Sequence, residues 1–307
     1  MTTVRPAAAT AGVFAAVVAL AWVLAQPQLS PSAVAVRAVA DGAAVLCLGL
    51  AAVPHFDEQR YRGELLRRAS GPLVVSGAVW LVAELVRVTV SAAELVNVTV
   101  DRLSLRTAWE FATATAAGRS ALFSLVAALL ICLSALWLQP TVSLRLTVAG
   151  IAGIGIAARA VTGHLAEGTL GATAVVAHAL AAALWCGALA ALVLTVRTRG
   201  QWARVLPGFS RMSLMCVATL LVGGTAGALT RLATPADLYA SGYGRILLAK
   251  VLATVVLLVL AWRNRRTWVP AARAHRISAD ASRSRALTEL SIMAVALTLA
   301  AALTVTG

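Results

Sequence analysis

The sequence predicts an all-α membrane protein, a polytopic bundle of transmembrane helices. Hydrophobic residues make up 60% of the 307 positions and charged residues only 12%, whereas a soluble domain carries about 25% charged residues. Apolar runs of about 20 residues, long enough to cross a bilayer as a helix, recur along the whole chain. The runs are rich in Ala, Leu and Val and lack the period-two alternation typical of membrane strands, so helices are favoured.

About nine spans are expected along the chain. They are Thr10–Gln26, Ala33–Pro54, Gly71–Val96, Gly118–Leu138, Val142–Thr162, Ala172–Val196, Pro207–Arg231, Arg245–Trp262 and Ala286–Val305. The first is also compatible with a cleaved signal peptide; a retained helix is favoured because the charge alternation between loops is consistent with it. The mixed segment after the third span carries Trp109 and Phe111, which we expect at the membrane interface.

The net charge of +14 comes from 26 basic and 12 acidic residues. Such a balance can indicate nucleic-acid binding, but here the arginines cluster in short loops between spans, as the positive-inside rule expects. No nucleic-acid partner is therefore expected. The loops after the second, sixth and eighth spans are the basic ones, which predicts a cytoplasmic N-terminus and an extracytoplasmic C-terminus. The longest basic loop, Arg263–Arg285, is expected to contact anionic lipid headgroups.

Several functional classes lack their sequence signatures. The chain has no CxxC pair, so neither a disulfide framework nor a zinc knuckle is indicated. It also has no Ser/His/Asp set, no HExxH and no Gly-rich phosphate loop, so we do not expect an enzyme. The four cysteines all fall inside predicted spans: Cys47, Cys132, Cys186 and Cys216.

Two of the four histidines lie close together in residues 163–189. His164 and Glu167 occupy a short break before an apolar helix that carries His178. An imidazole is costly among lipid tails, so an intramembrane histidine is a functional-site candidate, with a structural role as the alternative. The predicted orientation places His164 and Glu167 on the extracytoplasmic side and His178 roughly 9 Å deep, at 1.5 Å per residue. His55 and His275 are interpreted as solvated loop residues.

The second and third spans carry charged pairs. Arg37 and Asp41 are four residues apart, and Glu84 and Arg87 are three apart, so each pair shares one helix face. Two interpretations stay open: each pair neutralises itself, or the carboxylates line an access cavity that attracts a cation.

The histidine stretch resembles the paired-histidine signature of the copper-resistance D (CopD) family, with His164 in TGHLA followed by VAHALAAALWCGALAAL. The similarity continues through GFSRMSLMCVATLLVGGTAGAL, YGRILLAKVLATVVLLVLAWRNR and ALTELSIMAVALTLAAALT. It covers roughly residues 118–306. We therefore divide the chain into N-terminal membrane helices (1–117) and a CopD-like region (118–307), which resembles the CopD-like half of actinobacterial fusions to a cytochrome oxidase assembly (CtaG-like) domain.

The resemblance implies a multi-pass protein of the bacterial plasma (inner) membrane that handles copper. It implies copper import, or transfer from the extracytoplasmic side, through a site built on His164 and His178. The implied partners are the lipid bilayer, the copper ion, and a periplasmic copper chaperone or a cytochrome oxidase assembly factor.

The residues allow this chemistry, because imidazole binds copper in both oxidation states and sulfur ligands favour Cu(I). Met and Cys are also ordinary packing residues, and Trp185 either closes the floor of the site or packs between helices. A secondary metal pathway would draw on Glu167, Trp185, Cys186, Met212, Met215, Cys216, Asp41 and Glu84.

Two alternative functions remain. Two membrane histidines at matching depth can ligate haem iron, although His164 and His178 differ in predicted depth and no second pair is present. A non-transporting factor that hands copper to an oxidase during its assembly is the other alternative. A visible spectrum separates haem from copper, and copper uptake into sealed vesicles separates a transporter from a handover factor.

Overall fold

The chain folds as an all-α bundle, as the composition predicts. The structure is a computed structural model that describes residues 31–161, 169–231 and 242–306. Within these ranges there are nine α-helices and no strand, and eight of the helices are long and apolar enough to cross a membrane. The first expected span, Thr10–Gln26, lies outside the described residues.

The helices follow one another with short connections. They are α1 (Pro31–Ala52), α2 (Arg62–Leu95), α3 (Leu105–Ala114), α4 (Ala116–Trp137), α5 (Val142–Ala160), α6 (Thr169–Thr195), α7 (Arg199–Arg231), α8 (Gly242–Arg273) and α9 (Ala279–Thr306). Helices α3, α4 and α5 have N-cap residues with hydroxyl side chains: Ser104, Thr115 and Thr141 each accept a hydrogen bond from a backbone N–H of the first turn.

Four helices extend well beyond the predicted spans, all at the arginine-rich end of the bundle. The added residues are 62–70 of α2, 199–206 of α7, 263–273 of α8 and 279–285 of α9, which we call the basic collar. The prediction ended these spans near the first arginine or proline, but arginine is a good helix former. Packing stabilises the collar, since the rings of Trp202 and Trp268 lie 5.7 Å apart and each residue is 1% exposed.

The mixed segment after the third predicted span contains the short helix α3. Trp109 is 65% exposed, which suits the predicted position at the membrane interface. Phe111 differs from the prediction: it is buried and packs with Val88, Ala92 and Ala121. The ring therefore anchors α3 to α2 and α4 instead of facing the interface.

The centre of the bundle is α1, which packs against α2, α5, α6 and α9. Where α1 crosses α6, Gly49 and Gly187 bring the two backbones into direct contact. Small residues at a crossing let membrane helices approach closely and gain van der Waals contact, the main attraction available between helices in lipid. A third glycine, Gly155 on α5, receives the ring of Trp80 from α2: a Cβ at this position would lie 2.7 Å from the ring.

Replacing Gly49 by alanine should destabilise the bundle, because the new Cβ would overlap the backbone of Gly187. We expect a cost of about 1–3 kcal/mol, typical of overpacking, and a lower melting temperature in detergent. Gly42→Ala is the matched control on the same helix, since nothing lies within 4 Å of its Cβ position. Equal melting curves for the two variants would contradict the proposed backbone contact.

Candidate functional site

His178 lies on α6 against a recess in α7. Its ring faces Gly223 and Gly224: a Cβ on Gly223 would lie 3.2 Å from the His178 Cβ, and one on Gly224 would lie 3.5 Å from Cε1. The imidazole makes a backbone hydrogen bond with Leu220. Its Nδ1 is buried and has no hydrogen-bond partner among the described residues. A buried polar atom without a partner is costly, so this nitrogen is suited to a ligand.

The role of the two glycines was not predicted, although the sequence shows a Gly-Gly pair inside an apolar helix. Each glycine lowers the stability of a helix by about 1 kcal/mol relative to alanine, so such a pair indicates a packing or functional reason. The recess that seats His178 provides that reason.

His164 and Glu167 lie outside the described residues, so the pairing of the two histidines stays a prediction. The connection that carries them joins the end of α5 at Ala160 to the start of α6 at Thr169. Because α6 begins three residues before the predicted start, His178 lies nine residues into the helix, about 14 Å along its axis at 1.5 Å per residue.

Lys250, the only lysine of the chain, lies on α8 close enough to His178 for its charge to act on the imidazole. An ammonium group inside a membrane bundle is rare and indicates a functional position. The sequence pattern alone does not link this residue to the histidine.

Three of the predicted sulfur residues come together at the α6–α7 interface, and one does not. On α7 the Met212 Sδ and Cys216 Sγ atoms lie 3.3 Å apart, and Cys186 of α6 packs against the same core. Met215 is 68% exposed and lies on the outer surface of the bundle. Among the described residues no three His, Cys, Asp or Glu side chains form a metal-binding group.

Trp185 is 3% exposed, and its indole lies beside Glu289 of α9. The indole Nε1 does not meet the geometry of a full hydrogen bond. Glu289 is 2% exposed and accepts a hydrogen bond of 2.7 Å from the Asn264 side-chain amide. Glu289 was not predicted as a site residue, although it is the only charged residue of the predicted last span and an intramembrane carboxylate is a functional candidate.

The charged pairs of the second and third spans belong to one network. Arg159 of α5 forms ion pairs with Asp41 of α1 and, at 3.5 Å, with Glu84 of α2. Arg37 contacts Asp41 at 3.4 Å, and Arg87 contacts Glu84 at 2.6 Å. The two pairs are therefore not independent: a single buried arginine joins them and links three helices.

Among the described residues, the network joins three arginines and two carboxylates. Glu84 is fully buried, and the Arg159 side chain is 5% exposed. Each carboxylate contacts two arginines, which lowers its attraction for a metal cation. The arrangement favours a structural clamp, and a place for Asp41 and Glu84 in a metal pathway stays a prediction.

The remaining histidines differ from each other. His275 is exposed, as expected for a solvated loop residue. His55 is only half-exposed: it lies in the 3-10 turn Val53–Phe56, and its Nε2 atom is buried. The expectation of a solvated loop is therefore wrong for His55, because the turn packs its ring against the bundle.

Replacing Arg159 by glutamine should destabilise the protein strongly. Removal of Arg159 leaves the fully buried Glu84 with Arg87 alone and the partly buried Asp41 with Arg37 alone, and it removes the charge that links the two pairs. We expect a cost near the lower end of the range for breaking a buried pair, about 3 kcal/mol. The measurement is the melting temperature of the purified protein in detergent. The control is Arg106→Gln, which breaks the exposed pair with Glu110 and should cost less than about 1 kcal/mol. Similar melting curves for the two variants would rule out the clamp.

Comparison with known families identifies the chain. The family model described as Copper resistance protein D-like, N-terminal domain, matches residues 28–172, and the model described as Copper resistance protein D matches residues 203–303. The chain is a member of the CopD family. No curated protein and no solved structure matches it.

As a member of the CopD family, the chain is a copper-handling membrane protein. The first matched segment contains His164 and the ion-pair network, and the second contains Met212, Cys216 and Glu289. Residues 173–202, with His178 and Trp185, lie between the two matched segments. The division of the chain at residue 117 stays a prediction.

Proposed function

We propose that this CopD protein carries copper inward across the membrane through a site built on His164 and His178. The observation that supports the proposal is the His178 Nδ1 atom, which is buried and without a partner among the described residues. It lies on a membrane helix, in a recess made by two glycines. A neutral imidazole nitrogen of this kind is a suitable copper ligand.

The ion would first meet His164 and Glu167, where an imidazole and a carboxylate can take it from the aqueous phase or from a copper chaperone. His178 would be the deeper ligand. The ion would then pass the thiol of Cys186, about 12 Å further along α6, and the Met212–Cys216 sulfur pair of α7. These sulfur ligands favour the cuprous state. Lys250 would hasten departure from His178 by charge repulsion.

Two measurements separate this proposal from its alternatives. A haem protein would show the intense visible absorption of a ligated iron porphyrin after purification. A factor that only hands copper to an oxidase assembly partner would bind copper but would not accumulate it in sealed vesicles. Time-dependent uptake of copper into such vesicles is the result expected here.

The two histidines should behave as a unit if they share one ion. His164→Ala and His178→Ala should each lower copper affinity by more than about tenfold, the smallest effect typical of losing even an outer-shell partner. The double variant should be little worse than either single one, because interacting residues are non-additive. Copper bound per purified protein is the measurement, beside a melting curve.

His275→Ala is the control, because this exposed histidine lies outside the proposed site. Partial losses that add in the double variant would indicate two separate sites. Unchanged copper content in the double variant would eliminate the proposed copper site.

The proposed direction depends on orientation, which reporter fusions can measure. Fusions near Arg67, Arg204 and Arg273 should report the cytoplasm, because these positions lie in the basic collar. Fusions at Gly168 and Asp237 should report the opposite side. A cytoplasmic Gly168 would reverse the direction in which copper meets His164 and His178.

A further inference from the structure

We propose that Glu289 is a proton-exchange site of this CopD protein, reached by water through the cavity between α7, α8 and α9. Coupling of this proton to copper movement rests on the function proposed above. Proton exchange at Glu289 itself does not depend on that function.

The cavity lies between α7 and α8 and reaches Glu289 of α9. Its volume is about 240 Å³, which is room for several water molecules at about 30 Å³ each. Most of its wall is apolar, but a few polar groups converge on it: the hydroxyls of Ser210 and Ser213, the amide of Asn264, the guanidinium of Arg265 and the carboxyl of Glu289. Because Arg265 belongs to the basic collar, the polar part of the cavity lies toward that end of the bundle.

Glu289 has the surroundings of a carboxyl group that can gain and lose a proton without rearranging the fold. It is 2% exposed, and no salt bridge to it is found among the described residues. Its hydrogen bond comes from the neutral Asn264 amide, which can donate to the carboxylate and equally to the carbonyl oxygen of the protonated acid. A permanently ionised carboxylate at such a site would be costly without a counter-ion.

The other ionisable groups around Glu289 leave the carboxyl group without a fixed counter-charge. Arg265 lines the cavity, but one of its guanidinium nitrogens, Nη1, donates to the Ser210 carbonyl and hydroxyl oxygens, each at 2.9 Å. From α6, Cys186 is near enough for the two groups to interact electrostatically, and Cys216 of α7 lies near Cys186 in turn. Neither thiol forms an ion pair with the carboxyl group.

The lining of the cavity favours a proton over a copper ion. It contains no histidine, cysteine or methionine, and its single carboxyl group shares the space with an arginine. A cuprous ion prefers sulfur and imidazole ligands, whereas a proton needs only the carboxyl group and a path for water. Intramembrane carboxyl groups with water access are the usual proton carriers of pumps and transporters.

Trp185 connects this site to the proposed copper path. Its indole lies beside Glu289, and it follows His178 by two helical turns on α6, about 10 Å along the axis. When a copper cation approaches on the α6 side, the neutral carboxyl can release one proton to the cavity water and become a carboxylate that balances the new charge. The proton returns after the ion leaves, so no electron is transferred and charge is conserved.

Infrared spectroscopy tests the proton site on the purified protein without copper. The difference spectrum between acidic and alkaline pH should contain the carbonyl band of a protonated carboxyl group. Glu289→Gln should lose the component due to a buried carboxyl group, whereas Glu110→Gln, a change at an exposed carboxylate, should retain it. Glu289→Asp should keep the band with a displaced midpoint. An unchanged band in Glu289→Gln would refute the proton site.

Copper uptake into proteoliposomes tests the coupling. The wild-type initial rate should change with pH by up to about tenfold per unit if one proton is exchanged per ion. Glu289→Gln should remove that dependence, and Glu110→Gln should retain it. A pH dependence that persists in Glu289→Gln would refute the coupling. If the wild type moves no copper but the infrared band is lost in Glu289→Gln, the transport proposal fails and the proton site stands.

Discussion

The fold depends most on the ion pairs that Arg159 makes inside the bundle. Lipid offers no water to solvate a charge, so a buried carboxylate must find a counter-charge within the protein. Arg159 meets this need for Asp41 and Glu84 at once. The requirement fixes the relative positions of α1, α2 and α5, since none of the three helices can move without separating buried charges.

Close contact between small residues supplies the rest of the attraction between helices. At Gly49 and Gly187 the absence of side chains lets α1 and α6 meet through their backbones. At Gly223 and Gly224 of α7, the absence of side chains forms the recess that holds His178, which lies on the opposite face of α6 from Gly187. Helix α6 is therefore held by glycines on one side and presents its candidate metal ligand to glycines on the other, which couples the packing of the bundle to the site.

The two ends of the proposed path differ in chemistry. Imidazole and sulfur groups on α6 and α7 are suited to a soft metal ion. The carboxyl group of Glu289, at the wall of the cavity between α7 and α8, is suited to a proton. Trp185 lies beside Glu289 and two helical turns from His178 on α6. An electrostatic link between metal and proton would act across this residue.

The sequence by itself determined the class of fold, the approximate position of eight described spans and the family, because length and apolarity suffice to specify a helix that crosses a bilayer. It also identified His178 as a candidate, since one imidazole in an apolar run is detectable without neighbours. Helix ends at the basic collar were predicted too short, because the packing of Trp202 on Trp268 is not visible in a local pattern. Only the tertiary structure joined Arg159 to both carboxylates, placed Glu289 beside Trp185 and directed Met215 away from Cys216. The first two are contacts between residues far apart in the chain, and the third depends on which side of α7 faces a neighbouring helix. The periodicity of apolar residues does not specify which helix packs against which face.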